Sequence, residues 1–321
     1  MSLSEERIIS VIGSGLIGRS WAMVFLSGGY RVKIYDNQSG QALKAAQEVR
    51  KQLDELQQAH MLRGDSSAAE QFSLLSSHDD LAQALEGAFF VQECVFEELE
   101  AKRSVFQEVE SHVGESVILS SSTSCLLPSH IFSRVQNKTR CIVSHPVNPP
   151  YYVRLVELVP HPETVPVVME STHALMTRVG QSPARLRKEV DGFALNRVQY
   201  AVIAESWRLV KEGIISVQDI DLVMTEGLGM RYAFIGPMET MHLNAPEEAP
   251  AGKGLGDYLQ RYKDGMRKVL SSFGPVPEFS GEEAKAITQE MCELIPNDQQ
   301  HLSTRRERRD QLLMGLSKLK K

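Results

Sequence analysis

The first residues able to do chemistry are three glycines, Gly13, Gly15 and Gly18, in a Gly-x-Gly-x-x-Gly spacing. At this spacing the first glycine makes a tight turn, the second lets a pyrophosphate approach the backbone, and the third lets a helix pack closely on a strand. The phosphate then lies on the unpaired N–H groups of the helix N-terminus. Three glycines alone are a weak signal, so their flanks decide the meaning. Ile8-Ile9-Ser10-Val11-Ile12 is a β-branched run that reads as a strand. Arg19 to Leu26 carries apolar residues at helical spacing and is closed by Gly28-Gly29. A second strand, Arg31 to Tyr35, ends in Asp36, whose carboxylate is placed to accept both hydroxyls of an adenine ribose. Strand, loop, helix, strand and acid in this order predict a dinucleotide site. The acid predicts NAD rather than NADP, because it would repel a 2′-phosphate.

A second set of candidates follows later strands, where open α/β sheets bind ligands beyond the strands' carboxyl ends. Ser120 to Ser124 follows one predicted strand, and His145-Pro146-Val147-Asn148-Pro149-Pro150 follows the next. Glu157 lies within the strand after that. A carboxylate beside an imidazole orients the ring and stabilises its protonated form, which suits a base working near neutral pH. Ser124 could hydrogen-bond a substrate hydroxyl. On spacing alone His145 is either such a base or a histidine satisfied within a proline-rich loop.

The elements that must position these residues alternate. A polar helix is expected from about Ser39 to His60, a strand over Phe89 to Cys94, and a helix from Leu99 to Val109. Further strands are expected over Val117 to Ser120, Arg140 to Ser144 and Leu155 to Val159, with Pro128 opening a short helix and another running from Thr164 to Val179. Such alternation predicts βαβ units and a doubly wound, mainly parallel Rossmann-type sheet. From about Val190 the pattern turns almost wholly helical, over Phe193 to Lys211, Val217 to Met224, Tyr258 to Phe273, Glu282 to Leu294 and His301 to Leu319. The expectation is an NAD-binding domain over 1–189 and an all-helical substrate domain over 190–321. Asn244 to Gly256 reads as an insertion-like, mobile loop.

With 321 residues, two domains are the natural prior. A hydrophobic content of 42% with 24% charged residues is that of a globular protein. A net charge of −6 and a pI near 5.9 argue against nucleic acid or an anionic membrane as partner. No run approaches the length of a transmembrane helix, and the N-terminus lacks a targeting pattern. Cys94, Cys125, Cys141 and Cys292 show no metal-ligand spacing, so reduced thiols, no bound metal and a cytoplasmic location are expected.

Several stretches together carry a more specific resemblance. They are Val11 to Trp21, Ser120-Ser121-Ser122-Thr123-Ser124-Cys125-Leu126, His145 to Tyr152, Asp191-Gly192-Phe193-Ala194-Leu195-Asn196-Arg197 and Glu226 to Pro237. The chain resembles the 3-hydroxyacyl-CoA dehydrogenase superfamily, and the last motif is similar to that of its crystallin-like branch. The resemblance implies an NAD-dependent enzyme that oxidises the 3-hydroxyl of a small hydroxy acid, with L-gulonate going to 3-dehydro-L-gulonate. It makes His145 the general base, Glu157 its orienting carboxylate, and Ser124 and Asn196 the polar groups around the reacting carbon and nicotinamide. Leu16, Ile17, Asp36, Glu97 and Lys102 become cofactor contacts, and a homodimer through the helical domain is expected. The hydroxyacyl-CoA enzymes carry a small apolar turn where Arg231 stands here, and an Arg there suits a free carboxylate, which it can grip in bidentate fashion. Pairing with Glu226 is the structural alternative for Arg231. Hydroxyacyl-CoA oxidation and a purely structural crystallin role are the rival functions. The β-hydroxyacid dehydrogenases are excluded by a residue: their catalytic Lys lies four positions before an Asn, where this chain has Gly192.

Overall fold

The β-branched run at the start forms β1 (Ile8–Ile12), and the glycine loop after it opens α1 (Leu16–Ser27). The structure, a computed structural model, describes residues 7–244 and 254–320. Most of the expected loop from Asn244 to Gly256 therefore lies outside the described residues. The chain continues through β2 (Arg31–Tyr35), α2 (Gln41–Gln58), α3 (Ala68–Ser73), β3 (Leu75–His78), α4 (Leu81–Leu85) and β4 (Ala88–Glu93). It then forms α5 (Leu99–His112), β5 (Ile118–Ser121), α6 (Pro128–Ile131), β6 (Cys141–Pro146), β7 (Leu155–Pro160), α7 (Pro166–Arg178) and β8 (Ser182–Arg185).

These strands make one eight-stranded sheet in the order β3-β2-β1-β4-β5-β6-β7-β8. Strands β1 to β6 run parallel, β7 turns antiparallel to β6, and β8 runs parallel to β7. Order and direction are those of a Rossmann-type, mainly parallel sheet, as the alternation predicts. Both faces are covered. On one face Trp21 and Phe25 stack at 5.2 Å and Phe25 meets Phe90 edge-on. On the other, Phe106 packs against Phe132 at 4.5 Å. Each such fully buried aromatic contributes roughly 1.5–3 kcal/mol from apolar area removed from water.

The short elements α3, β3, α4 and β8 are absent from the sequence expectation. Apart from α3 their sequences lack a clear period: Leu75–His78 is polar at three of its four positions, and Ser182–Arg185 contains Pro183. Only pairing with a neighbour makes them strands. For α3 the signal was present, since Ser67 and Glu70 form a capping box.

The remainder is helical: α8 (Leu195–Lys211), α9 (Val217–Leu222), a π-helical stretch over Val223–Leu228, α10 (Gly229–Tyr232), α11 (Pro237–Leu243), α12 (Leu255–Ser271), α13 (Gly281–Leu294) and α14 (Gln299–Leu319). No strand occurs there among the described residues. The chain divides into a first unit that runs to Arg197 and resumes over Asp310–Lys318, and a second unit over Val198–Arg309. Within the second unit, Trp207 packs edge-on against Phe279 at 5.2 Å and the Val217 amide donates to Glu290 at 2.8 Å. Among the described residues no helix is long and apolar enough to cross a membrane.

Candidate active site

The glycine loop has the three properties its spacing requires. Gly13 has φ +101°, and a Cβ there would lie 2.6 Å from the Cys94 carbonyl oxygen. A Cβ on Gly18 would lie 1.9 Å from the Gly13 carbonyl oxygen, so helix and turn can approach this closely only with glycine. At Gly15 a Cβ would meet nothing within 4 Å, which leaves room for a ligand. No side chain caps α1 and no acid stands in its first turn, so its N–H groups suit a phosphate. Leu16 is exposed beside this terminus, and Ile17 packs on the core.

Asp36 follows β2. Its Oδ2 accepts from the Ser14 amide at 2.9 Å and the Ser14 hydroxyl at 2.6 Å, and its Oδ1 accepts from the Gln38 amide at 3.1 Å. Ser14 thus fixes the carboxylate over the loop, a role that the spacing did not reveal. These residues fit the dinucleotide that the sequence calls for.

His145 and Glu157 meet because of register. They are direct partners across the antiparallel β6–β7 pair, so their side chains share one face of the sheet. The imidazole Nδ1 lies 2.8 Å from Glu157 Oε2, with both side chains almost fully buried. The other carboxylate oxygen, Oε1, accepts from the Ala194 and Leu195 amides at 2.9 Å each. Burial alone would push the Glu157 carboxyl up. The hydrogen bonds from His145, Leu195 and Ala194 outweigh it and hold the group below its ordinary value. An ionised carboxylate facing Nδ1 puts the proton on that nitrogen and leaves Nε2 as the basic one. Phe193, with φ +50°, closes the site with its ring 5.6 Å from the imidazole. The helix expected to begin at Phe193 begins instead at Leu195, because this left-handed residue turns the backbone amides onto Glu157.

Ser124, Asn196, Glu97 and Lys102 form one connected group. Asn196 Nδ2 donates to the Ser124 carbonyl at 2.7 Å. Glu97 Oε1 accepts from the Thr123 hydroxyl at 2.6 Å, the Ser124 amide at 2.8 Å and the Ser124 hydroxyl at 3.2 Å. Lys102 Nζ lies 3.3 Å from Glu97 Oε2 and 2.8 Å from Glu93 Oε1. Burial opposes the Glu97 charge, but Thr123 and the Lys102 ammonium bring its carboxyl below the usual range. Sequence reasoning missed Glu93, Thr123 and Phe193. Glu93 reads as the next-to-last residue of the strand expected over Phe89 to Cys94, and nothing in the spacing marks it. The start of α8 joins the two groups: its amides hold Glu157, and Asn196 one residue on holds Ser124.

Arg231 belongs to the second unit, on α10, and is exposed. Its guanidinium lies over the Tyr232 ring at 5.8 Å, and among the described residues it makes no ion pair with Glu226 or any other acid. No group of three or more metal-ligating side chains occurs among the described residues.

Comparison with known proteins agrees with this geometry. Residues 8–190 match the family model described as 3-hydroxyacyl-CoA dehydrogenase, NAD binding domain, and residues 192–289 match that of the C-terminal domain. The chain is 55% identical over 313 residues to the lambda-crystallin of Oryctolagus cuniculus, covering 98% of this chain and 96% of the relative. It is 29% identical over 329 residues to an L-carnitine dehydrogenase of Bacillus cereus, covering 99% and 94%. Among solved structures, an NAD+-dependent dismutase, 5-formyl-3-hydroxy-2-methylpyridine 4-carboxylic acid 5-dehydrogenase, superposes with a TM-score of 0.81 at 22% identity over 98% of both chains, a likeness of fold. A glycine loop built for a dinucleotide, a buried His–Glu pair across β6 and β7 and family matches over both regions lead to one conclusion: the chain belongs to the 3-hydroxyacyl-CoA dehydrogenase family, as an NAD-dependent oxidoreductase acting on CH–OH groups.

Proposed function

We propose that this protein oxidises the 3-hydroxyl of a small hydroxy acid, L-gulonate being the expected substrate, with His145 as general base. The observation that carries the reading is the His145–Glu157 pair at 2.8 Å, whose carboxylate is in turn held by two backbone amides. Glu157 keeps the proton on Nδ1, and Nε2 takes the proton of the substrate hydroxyl. NAD, when bound, supplies the nicotinamide carbon that accepts the hydride. The Ser124 hydroxyl and the Asn196 amide, whose nitrogen gives one of its two hydrogens to the Ser124 carbonyl, orient the alcohol. Glu97 borders the cofactor, together with Leu16, Ile17 and Asp36, whereas Lys102, expected as a cofactor contact, is buried behind Glu97 and holds it at 3.3 Å.

Arg231 supports the acid over the acyl-CoA, because it is a guanidinium without an ion-pair partner among the described residues and suited to a carboxylate. Similarity to an L-carnitine dehydrogenase, whose named substrate is itself a 3-hydroxy acid, points the same way. A second copy of the chain is the expected partner, and α12 offers a face for it. Leu259, Tyr262, Met266, Val269 and Leu270 recur at helical spacing along it and Phe273 follows just past its end, all at least 36% exposed.

The experiment follows NADH absorbance with L-gulonate, an uncharged ester of it and a 3-hydroxyacyl-CoA. Wild-type enzyme should prefer the free acid. Arg231→Met should lower kcat/KM on it by roughly 10–150-fold, the size of a lost charge-assisted bidentate pair. Arg231→Lys should fall part of the way, and the ester rate should hardly change. Equal losses on acid and ester with a lowered Tm would make Arg231 structural and return hydroxyacyl-CoA to first place.

A further inference from the structure

Glu93 is the last residue of β4, and its side chain is completely buried. Three groups donate to it. Lys102 Nζ and the Val95 amide reach Oε1 at 2.8 and 2.7 Å, and the Ser121 hydroxyl reaches Oε2 at 2.5 Å. Ser121 is its direct partner across the β4–β5 pair. Lys102 is only 1% exposed, and an ammonium has three donors. All three have acceptors within the chain: Glu93 at 2.8 Å, the Val95 carbonyl at 3.2 Å and Glu97 at 3.3 Å. Lys102 thus has no donor left for a ligand, and what it does it does through Glu97. Burial would lower the Lys102 pKa, but the Glu93 carboxylate first, then Glu97, raise it above the ordinary value.

Glu97 shares this ammonium and directs its other oxygen to the Ser124 amide and hydroxyl and, at 3.3 Å, to the Cys125 amide. The Ser124 carbonyl holds Asn196. The chain Glu93–Lys102–Glu97–Ser124–Asn196 is therefore continuous, with no separation above 3.3 Å. Its first member is the one farthest from solvent.

We propose that Glu93 is a positioning residue for dehydrogenation: it anchors the Lys102 ammonium, so that Glu97 keeps its second oxygen on Ser124 and the Ser124–Asn196 pair stays aligned for the substrate. This rests on the hydroxy acid dehydrogenase reading above. Without the Glu93 charge, a buried ammonium has no water to turn to and is drawn wholly onto Glu97. The Glu97 carboxylate then tilts away from the Ser124 and Cys125 amides.

The test compares Glu93→Gln, Lys102→Met, the double variant and Ser121→Ala in the full-length protein. Amide hydrogen exchange read by NMR reports the positioning without any turnover. Glu93→Gln and Lys102→Met should each speed exchange at Ser124 and Cys125 by about 10-fold or more, while Ala194 and Leu195, held by Glu157, keep their protection. Each should lower kcat by about 10-fold, and the double variant should be no worse than either alone within about 2-fold, the mark of residues acting in one chain. Unchanged exchange at Ser124 and Cys125 overturns the proposal. So do losses that multiply in the double variant, or a Ser121→Ala variant that reproduces them, since Glu93 would then only tie two strand ends together. Should Glu93→Gln fail to fold, Lys102→Met carries the same expected pattern and the same refutation. A wild-type enzyme that reduces NAD with no hydroxy acid overturns the dehydrogenase reading alone, because exchange still decides the positioning.

Discussion

At the scale of single residues the site depends on which nitrogen of His145 bears the proton. Glu157→Gln tests this with little change of shape. The amide can present its NH2 to Nδ1, which favours the tautomer with hydrogen on Nε2 and removes the base. A fall in kcat on the order of 10²–10⁴-fold is expected, with NADH affinity measured by fluorescence titration within about 3-fold of wild type. If kcat stays within about 3-fold, Glu157 does not set the tautomer. The sequence placed His145 just after its strand, whereas it lies within β6, one residue from that strand's end. What was not legible is that β7 reverses direction, and this reversal is what sets Glu157 directly opposite His145. Glu93 and Thr123 stayed hidden for another reason. Glu93 takes its role from Ser121 on β5 and Lys102 on α5, and Thr123 from Glu97 in the loop before α5, and a single strand shows no sign of those.

At the scale of elements, the loop from β1 into α1 separates two jobs that its three glycines share. Gly18→Ala sets a methyl against the Gly13 carbonyl, 1.9 Å away, so turn or helix must shift. Overpacking of this kind costs about 1–3 kcal/mol, or roughly 2–4 °C of Tm for each kcal/mol in a unit of this size. Gly15→Ala meets nothing within 4 Å and has ordinary φ of −65°, so Tm should hold within about 1 °C. Its NADH dissociation constant should instead rise by about 10-fold, because the methyl stands where the phosphate must approach. Thermal melts paired with NADH titrations read both. Equal Tm losses in the two variants would deny Gly15 its ligand role. The β1–α1–β2 unit was the most legible part of the fold, since its period, glycines and closing acid all agree. Over Val223–Leu228 local and global signals part. An uninterrupted apolar period to Met224 reads as one α-helix, and the chain instead widens into a π turn just before Arg231.

At the scale of the whole molecule, the apolar face of α12 argues for a second copy. Five large side chains at least 36% exposed on one helix, with Phe273 just past its end, exceed what a solitary globular chain usually leaves in water. Sedimentation equilibrium should give twice the chain mass of 35.8 kDa. Leu270→Asp, charging the C-terminal end of that face, should shift the equilibrium toward the single chain by about 10-fold or more in dissociation constant. A single-chain mass for the wild type at micromolar concentration would remove the dimer. The chain divides after Arg197, some residues past the change of pattern read near Val190. The grouping of residues 310–318 with the first unit was not legible, because Gln299–Leu319 carries its apolar residues without a single dominant face.

That return bears on how the protein is made. Residues 310–318 are grouped with the dinucleotide-binding unit, and Met314 packs against its core cluster of Trp21, Phe25 and Met176. During synthesis the ribosome therefore releases nearly the whole chain before the unit begun at its first strand receives its last side chains. The nascent sheet must wait, through the translation of more than a hundred residues of the second unit, with part of its apolar cover still unmade.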